Sequence, residues 1–100
     1  MTAEEFRALA LSLPGTAEAP HVDRAAFKVK RIYATLSKAG DSVNLNLSPE
    51  EQAHYSHMLP QVFAPVPNAW GARGWTRAIL QGADAQALAG ALRAAWHRAG

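Results

Sequence analysis

An alternating stretch, FKVKRIYATLS (residues 27–37), constrains the fold more than any other segment of the chain. Successive side chains of a strand point to opposite faces, so the alternation of apolar with polar or basic residues predicts β-structure. The pattern breaks at Lys30-Arg31, which predicts a hairpin with a two-residue turn, although both turn residues would need positive φ. The inward residues would be Phe27, Val29, Ile32, Ala34 and Leu36, and the outward ones Lys28, Lys30, Tyr33, Thr35 and Ser37.

A third strand follows directly. The segment KAGD (38–41) is a typical turn, in which Gly40 can adopt the left-handed conformation. After it, Val43, Leu45 and Leu47 alternate with Asn44, Asn46 and Ser48. Three antiparallel strands would therefore share one apolar face and one polar face.

The first two helices have clear start signals. Thr2 with Glu5, and Ser48 with Glu51, each form a capping-box pattern, and Pro49 suits the first position of a helix. The first helix would end at Pro14-Gly15, and the second before Pro60. Between the first helix and the hairpin, residues 16–24 lack periodicity and are interpreted as a connector.

The carboxyl-terminal third completes the fold. Short strands are predicted at residues 62–64 and 75–80, and a final helix follows Gly82 with an apolar stripe that includes Leu88 and Leu92. The order α-β-β-β-α-β-β-α predicts one α+β domain over residues 1–100, in two layers. An antiparallel sheet of about five strands would pack on the helices.

Composition narrows the functional classes. The chain has no cysteine, which excludes a disulfide framework and a thiol nucleophile. Its amino terminus lacks the long apolar core of a signal peptide or membrane span. We therefore expect a soluble cytoplasmic protein that does not interact with membranes.

Catalytic and metal sites are not expected. Neither a G-x-S-x-G nor an H-E-x-x-H motif occurs, and no glycine-rich phosphate loop opens a helix. His54 and His57 could share a helix face, but the nearest acids, Glu50 and Glu51, already serve the helix start. We expect no enzymatic activity and no cofactor.

Positive charge is concentrated in one window. Although the net charge is only +2, residues 24–38 carry five Lys or Arg and no acid, and residues 73–100 carry four Arg against Asp84. Such a patch can attract phosphate, but strands exposed to water also carry lysine for solubility. Charge alone leaves both interpretations open.

Several strings resemble the MmcQ/YjbR family of small bacterial proteins. They are LSLPGTAEAPH (11–21), AFKVKRIYATLS (26–37), VNLNLSPEEQAHY (43–55) and PNAWGARGWTRAIL (67–80). This chain departs from the family pattern where Lys30-Arg31 replaces a glycine-containing turn. The resemblance implies a curved antiparallel sheet packed on helices, as in double-wing and type III secretion-chaperone folds, with no catalytic residues. It also implies DNA binding, by analogy with the double-wing domain of a phage transcription factor.

The leading hypothesis is a DNA-binding protein of low sequence specificity that uses the outer sheet face and the hairpin rim. The expected contact residues are Arg24, Lys28, Lys30, Arg31, Tyr33, Lys38, Arg73 and Arg77, with Asn44 and Asn46 as further polar contacts. One alternative is a protein-interaction or chaperone-like module that exposes Val62, Phe63, Val66 and Trp70. Another is small-molecule binding in a cleft beneath residues 59–74.

Overall fold

Six antiparallel strands form a single sheet in the computed structural model, which describes all 100 residues. The strands are β1 (Ala17–His21), β2 (Arg24–Lys28), β3 (Ile32–Leu36), β4 (Ser42–Asn46), β5 (Phe63–Pro65) and β6 (Trp75–Ile79). The helices are α1 (Ala3–Ser12), α2 (Pro49–Met58), α3 (Ala69–Ala72) and α4 (Ala85–Ala99). The sheet order is β1-β2-β3-β4-β6-β5. The α+β class and the antiparallel sheet packed on helices are confirmed.

The sheet has one strand more than expected, because the segment interpreted as a connector contains β1. This edge strand reads AEAPH, and four of its five residues are exposed. It therefore shows no alternation of apolar with polar residues. The other edge strand, β5, has only three residues. Each edge strand includes a proline, Pro20 in β1 and Pro65 in β5, which is a position that sheets tolerate.

Helices α1 and α4 cover one face of the sheet, here called the inner face. Eighteen buried residues form the core between the helices and this face. The rings of Phe6 in α1 and Phe27 in β2 meet edge-on at 5.8 Å, and α4 packs against β3 and β4. Burying these apolar side chains is the main source of stability in such a domain. The opposite face of the sheet is here called the outer face.

The hairpin differs from its prediction in both turn and register. β2 ends at Lys28 and β3 begins at Ile32, so the loop has three residues, 29–31, instead of two. Phe27 pairs with Ala34, whereas Lys28 pairs with Ile32, which leaves Tyr33 as the extra residue of a β-bulge. Ile32 and Tyr33 therefore exchange faces. The predictions that Tyr33 lies outward and Ile32 inward are wrong.

Tyr33 is fully buried beneath the inner face. Its hydroxyl lies 2.8 Å from Thr16 Oγ1 and donates to the carbonyl of Ala10 in α1 at 3.4 Å. Burial raises the pKa of the Tyr33 phenol, and the hydrogen bond with Thr16 partly opposes this rise. Tyr33 thus holds α1 to the sheet.

The helix starts and the second turn agree with the sequence. Both capping boxes are formed, with Thr2 and Ser48 each accepting from the backbone N–H three residues later. Gly40 has φ +76° in the β3–β4 turn, as its left-handed role requires. No helix combines the length and the apolar character that crossing a bilayer requires.

Candidate nucleic-acid interface

The outer face of the sheet carries three cations and no carboxylate. Strand pairing places Arg24, Lys28 and Arg77 on this face. The other outward residues of β2, β3, β4 and β6 are Ala26, Ile32, Thr35, Ser42, Asn44, Asn46, Trp75 and Ile79. The nearest acids, Asp23 and Asp41, lie in the turns at one end of the sheet. The outer face is therefore positively charged across its strands.

Arg24 is held against the sheet by β3. Its Nε donates to Thr35 Oγ1 at 2.8 Å, and its Nη2 donates to the Thr35 carbonyl at 3.2 Å. A guanidinium has five N–H donors, so three remain for other partners. Burial lowers the pKa of Arg24; Arg77 also lowers it, while Asp23 and Asp41 raise it. Two arginines therefore repel each other on this face, and a bound anion would relieve that repulsion.

The remaining predicted cations do not converge with these three. Lys30 lies in the 29–31 loop at one end of the hairpin, and Lys38 lies in the turn at the opposite end. Arg31 extends toward α4, where its Nη2 donates to the carbonyl of Arg98 at 2.8 Å. A cation at this position complements the partial negative charge of a helix carboxyl terminus. Arg31 therefore has a structural partner away from the outer face.

Helix α3 presents one exposed aromatic side chain, Trp70, beside the sheet. The Asn68 side chain accepts from the backbone N–H of Trp70 at 2.9 Å and so caps α3. Trp70 is 55% exposed, and the guanidinium carbon of Arg73 lies 5.0 Å from its ring centroid. This is a cation–π contact, and it places a fourth cation at the rim of the outer face.

Two contacts on either side of Trp70 fix the position of helix α3. The Gln52 amide in α2 donates to the carbonyls of Gly71 and Trp75, at 2.9 and 3.0 Å. A Cβ added at Gly71 would lie only 1.8 Å from the carbonyl oxygen of Val66, so only glycine allows this close approach. The α3 segment is therefore tied both to α2 and to the chain that precedes it.

A groove of about 400 Å³ runs between this segment and the outer face. It is lined by His21, Arg24, Ile32, Thr35, Asn44, Val66, Asn68, Trp70 and Trp75. Asn44 Oδ1 is shielded from solvent and has no hydrogen-bond donor. The groove thus combines aromatic and apolar walls, an arginine and an asparagine amide. It lies beside the 59–74 segment, where the small-molecule alternative expected a cleft.

The sequence did not indicate that Ile32, Trp70 and Trp75 share one groove. A signal was present for Trp75, because it lies two residues before Arg77 in a strand and must share its face. The position of Ile32 depends on the bulge. Of the apolar patch expected for a protein-interaction module, only Trp70 is exposed; the predicted exposure of Val62, Phe63 and Val66 is wrong, because all three are buried.

The histidines of α2 lie apart from this groove. His54 packs edge-on against Tyr55, with ring centroids 5.1 Å apart. No group of three or more His, Asp or Glu side chains comes together in a way that could hold a metal ion.

Comparisons with solved structures and with family models agree with this architecture. A comparison with curated proteins gave no match. The fold is similar to that of DR2400 from Deinococcus radiodurans, which has a DUF419 domain, with a TM-score of 0.79 and 25% identity over 94% of this chain and 75% of that one. A protein from Pseudomonas syringae has a similar fold, with a TM-score of 0.76 and 15% identity over the whole of both chains. The YjbR family model matches residues 11–98. The chain therefore belongs to the YjbR family.

Proposed function

We propose that this protein binds DNA with little sequence preference, through phosphate contacts on the outer sheet face. The observation that carries this proposal is the placement of Arg24, Lys28 and Arg77 on a face with no carboxylate. Phosphate contacts supply essentially all of non-specific DNA affinity. Arg73, stacked on Trp70, adds a fourth cation at the rim.

The three cations of the outer face, Arg24, Lys28 and Arg77, set the expected strength of DNA binding. Each phosphate that a protein neutralises contributes about −0.9 to the slope of log affinity against log salt on duplex DNA. Three contacts therefore give a slope of about −2.7. Raising the salt from about 50 to about 200 mM should weaken binding about 40-fold. The dissociation constant at physiological salt should fall in the non-specific range of roughly 10⁻⁴ to 10⁻⁶ M.

Fluorescence anisotropy with a labelled duplex, titrated at low and moderate salt, tests the proposal. The decisive variant is Lys28→Glu/Arg77→Glu, which reverses two charges on the outer face. The matched control is Arg93→Glu/Arg98→Glu, which makes the same change in net charge on α4, the helix that packs on the inner face.

The outer-face variant should lose binding at low salt, whereas the α4 variant should keep most of its affinity and a similar salt slope. The proposal fails if the wild-type protein does not bind DNA at low salt. It also fails if the two variants weaken binding equally, because net charge alone would then explain the effect.

A further inference from the structure

The walls of the outer-face groove suit a flat ring. Trp70 and Trp75 contribute indole rings, and Ile32 adds an apolar contact because the bulge at Tyr33 turns it outward. Bases stack on aromatic side chains with little regard to sequence. In a duplex the faces of each base are already stacked inside the helix, so only an unpaired base could enter.

The polar groups of the groove suit the edge of that ring. Asn44 Oδ1 is closed to solvent and therefore also to a base, but the side chain as a whole is only half-buried and lines the groove. The N–H₂ group of this amide can instead donate to a ring nitrogen or a carbonyl of a base. Every base carries such an acceptor, so this contact would not depend on the type of base.

The charge of the groove suits an adjoining phosphate. Arg24 lines the groove and keeps three N–H donors after its two bonds to Thr35. Arg77 lies in the same cross-strand row as Asn44 and Thr35, about 5 Å from its neighbour Asn44 across the strands. No carboxylate lines the groove. A base could therefore lie between the aromatic wall and the amide, with its phosphate at the guanidinium.

We propose that the groove binds one unpaired base of a single DNA strand, stacked on Trp70 and Trp75 and paired with Asn44, with the adjoining phosphate at Arg24. This inference rests on the proposed DNA binding and specifies which part of the nucleic acid the site takes. The protein would then prefer single-stranded DNA to a duplex of equal length.

The test compares two labelled strands of equal length and charge, an oligothymidine and an abasic strand that has the same phosphates and no bases. Anisotropy titrations at one low salt concentration should give about tenfold tighter binding to the oligothymidine, which corresponds to one stacked base. Thymidine 5′-monophosphate, added as a competitor, should displace the strand only weakly because it lacks the neighbouring phosphates.

Trp70→Ala separates the two proposals, and the high exposure of this side chain makes the variant safe for folding. The variant should lose most of the preference for bases, bind the abasic strand as the wild type does, and melt at a similar temperature. Trp70→Phe should restore most of the preference.

Equal binding of the two strands by the wild-type protein overturns the base-binding inference but leaves phosphate binding standing. Failure to bind either strand overturns the base-binding inference, and failure to bind the duplex as well overturns both proposals. If the mononucleotide binds as tightly as the whole strand, the groove is a site for free nucleotides. That result overturns the inference that it binds a base within a strand.

Discussion

The Tyr33 hydroxyl and Thr16 Oγ1 lie 2.8 Å apart on the buried side of the sheet. This contact exists because one extra residue in β3 turns Tyr33 toward α1 and Ile32 toward the outer groove. The same bulge therefore adds a polar anchor to the core and an apolar wall to the candidate site. Bulges often redirect side chains beside functional sites in this way.

Removing the Tyr33 hydroxyl should weaken the fold without affecting the proposed DNA binding. Tyr33→Phe removes the bonds to Thr16 and Ala10, and we expect the free energy of unfolding to fall by about 1 kcal/mol. Urea denaturation measures this loss. Thr16→Val should cost a similar amount, and the double variant should cost less than the sum of the two. A Tyr33→Phe protein with wild-type stability but weaker DNA binding would contradict this assignment.

Stability should decline at alkaline pH. Burial raises the pKa of both Tyr33 and Tyr55, and the nearby Glu51 raises that of Tyr55 further. The folded protein therefore keeps these protons at a pH where the unfolded chain releases them. This contribution is complete below the ordinary tyrosine pKa of about 10 and is lost as pH rises above it.

Urea denaturation in steps across this pH range measures the alkaline decline. The variant Tyr33→Phe/Tyr55→Phe is the control, because it removes both phenols and should show a flatter dependence on pH. A steady or rising stability of the wild-type protein above pH about 10 would contradict the expectation.

A substitution in the β1–β2 turn should raise the stability of the protein. Val22 has φ +59° and is 95% exposed, and it is the only residue other than glycine with a positive φ. A β-branched residue in this conformation costs about 1–2 kcal/mol. Val22→Gly should raise the free energy of unfolding by about 1 kcal/mol after the entropy cost of glycine. Asp23→Gly, which changes the other turn residue, should give no gain, and thermal melting of both variants checks this.

Replacing Asn44 with an apolar residue of similar size should raise the free energy of unfolding. Asn44→Val removes an oxygen that is shielded without a donor and improves strand propensity, so unfolding should cost about 1 kcal/mol more. Asn46→Val, on the same face and strand, should gain only the smaller propensity effect. Urea denaturation compares the two. A loss of stability in Asn44→Val would show that the amide already has a partner in solution.

Elements with strong local signals could be predicted from the sequence. Ser48, Pro49 and Glu51 specify the start of α2 through contacts within four residues, and the structure agrees. The alternation around Asn44 and Asn46 specifies β4, because Val43 and Leu45 on either side of Asn44 must be buried. In both cases the deciding interactions lie close together in sequence.

Features that depend on contacts between elements, and not on a pattern within one element, could not be predicted. The bulge at Tyr33 arises where β3 must match β2, and a shift of one residue reverses the faces of its neighbours. β1 has few apolar side chains and is defined mainly by its backbone pairing with β2. The place of Trp70 beside the sheet follows from the close packing of Gly71 against Val66, which no local pattern reveals.

Proline at both margins of the sheet has a consequence for how the protein behaves at high concentration. Pro20 and Pro65 each remove an amide from an edge strand, and β5 offers only three residues in all. An incoming strand from another molecule would find an interrupted row of donors on either side. Growth into fibrils by edge-to-edge addition is therefore disfavoured.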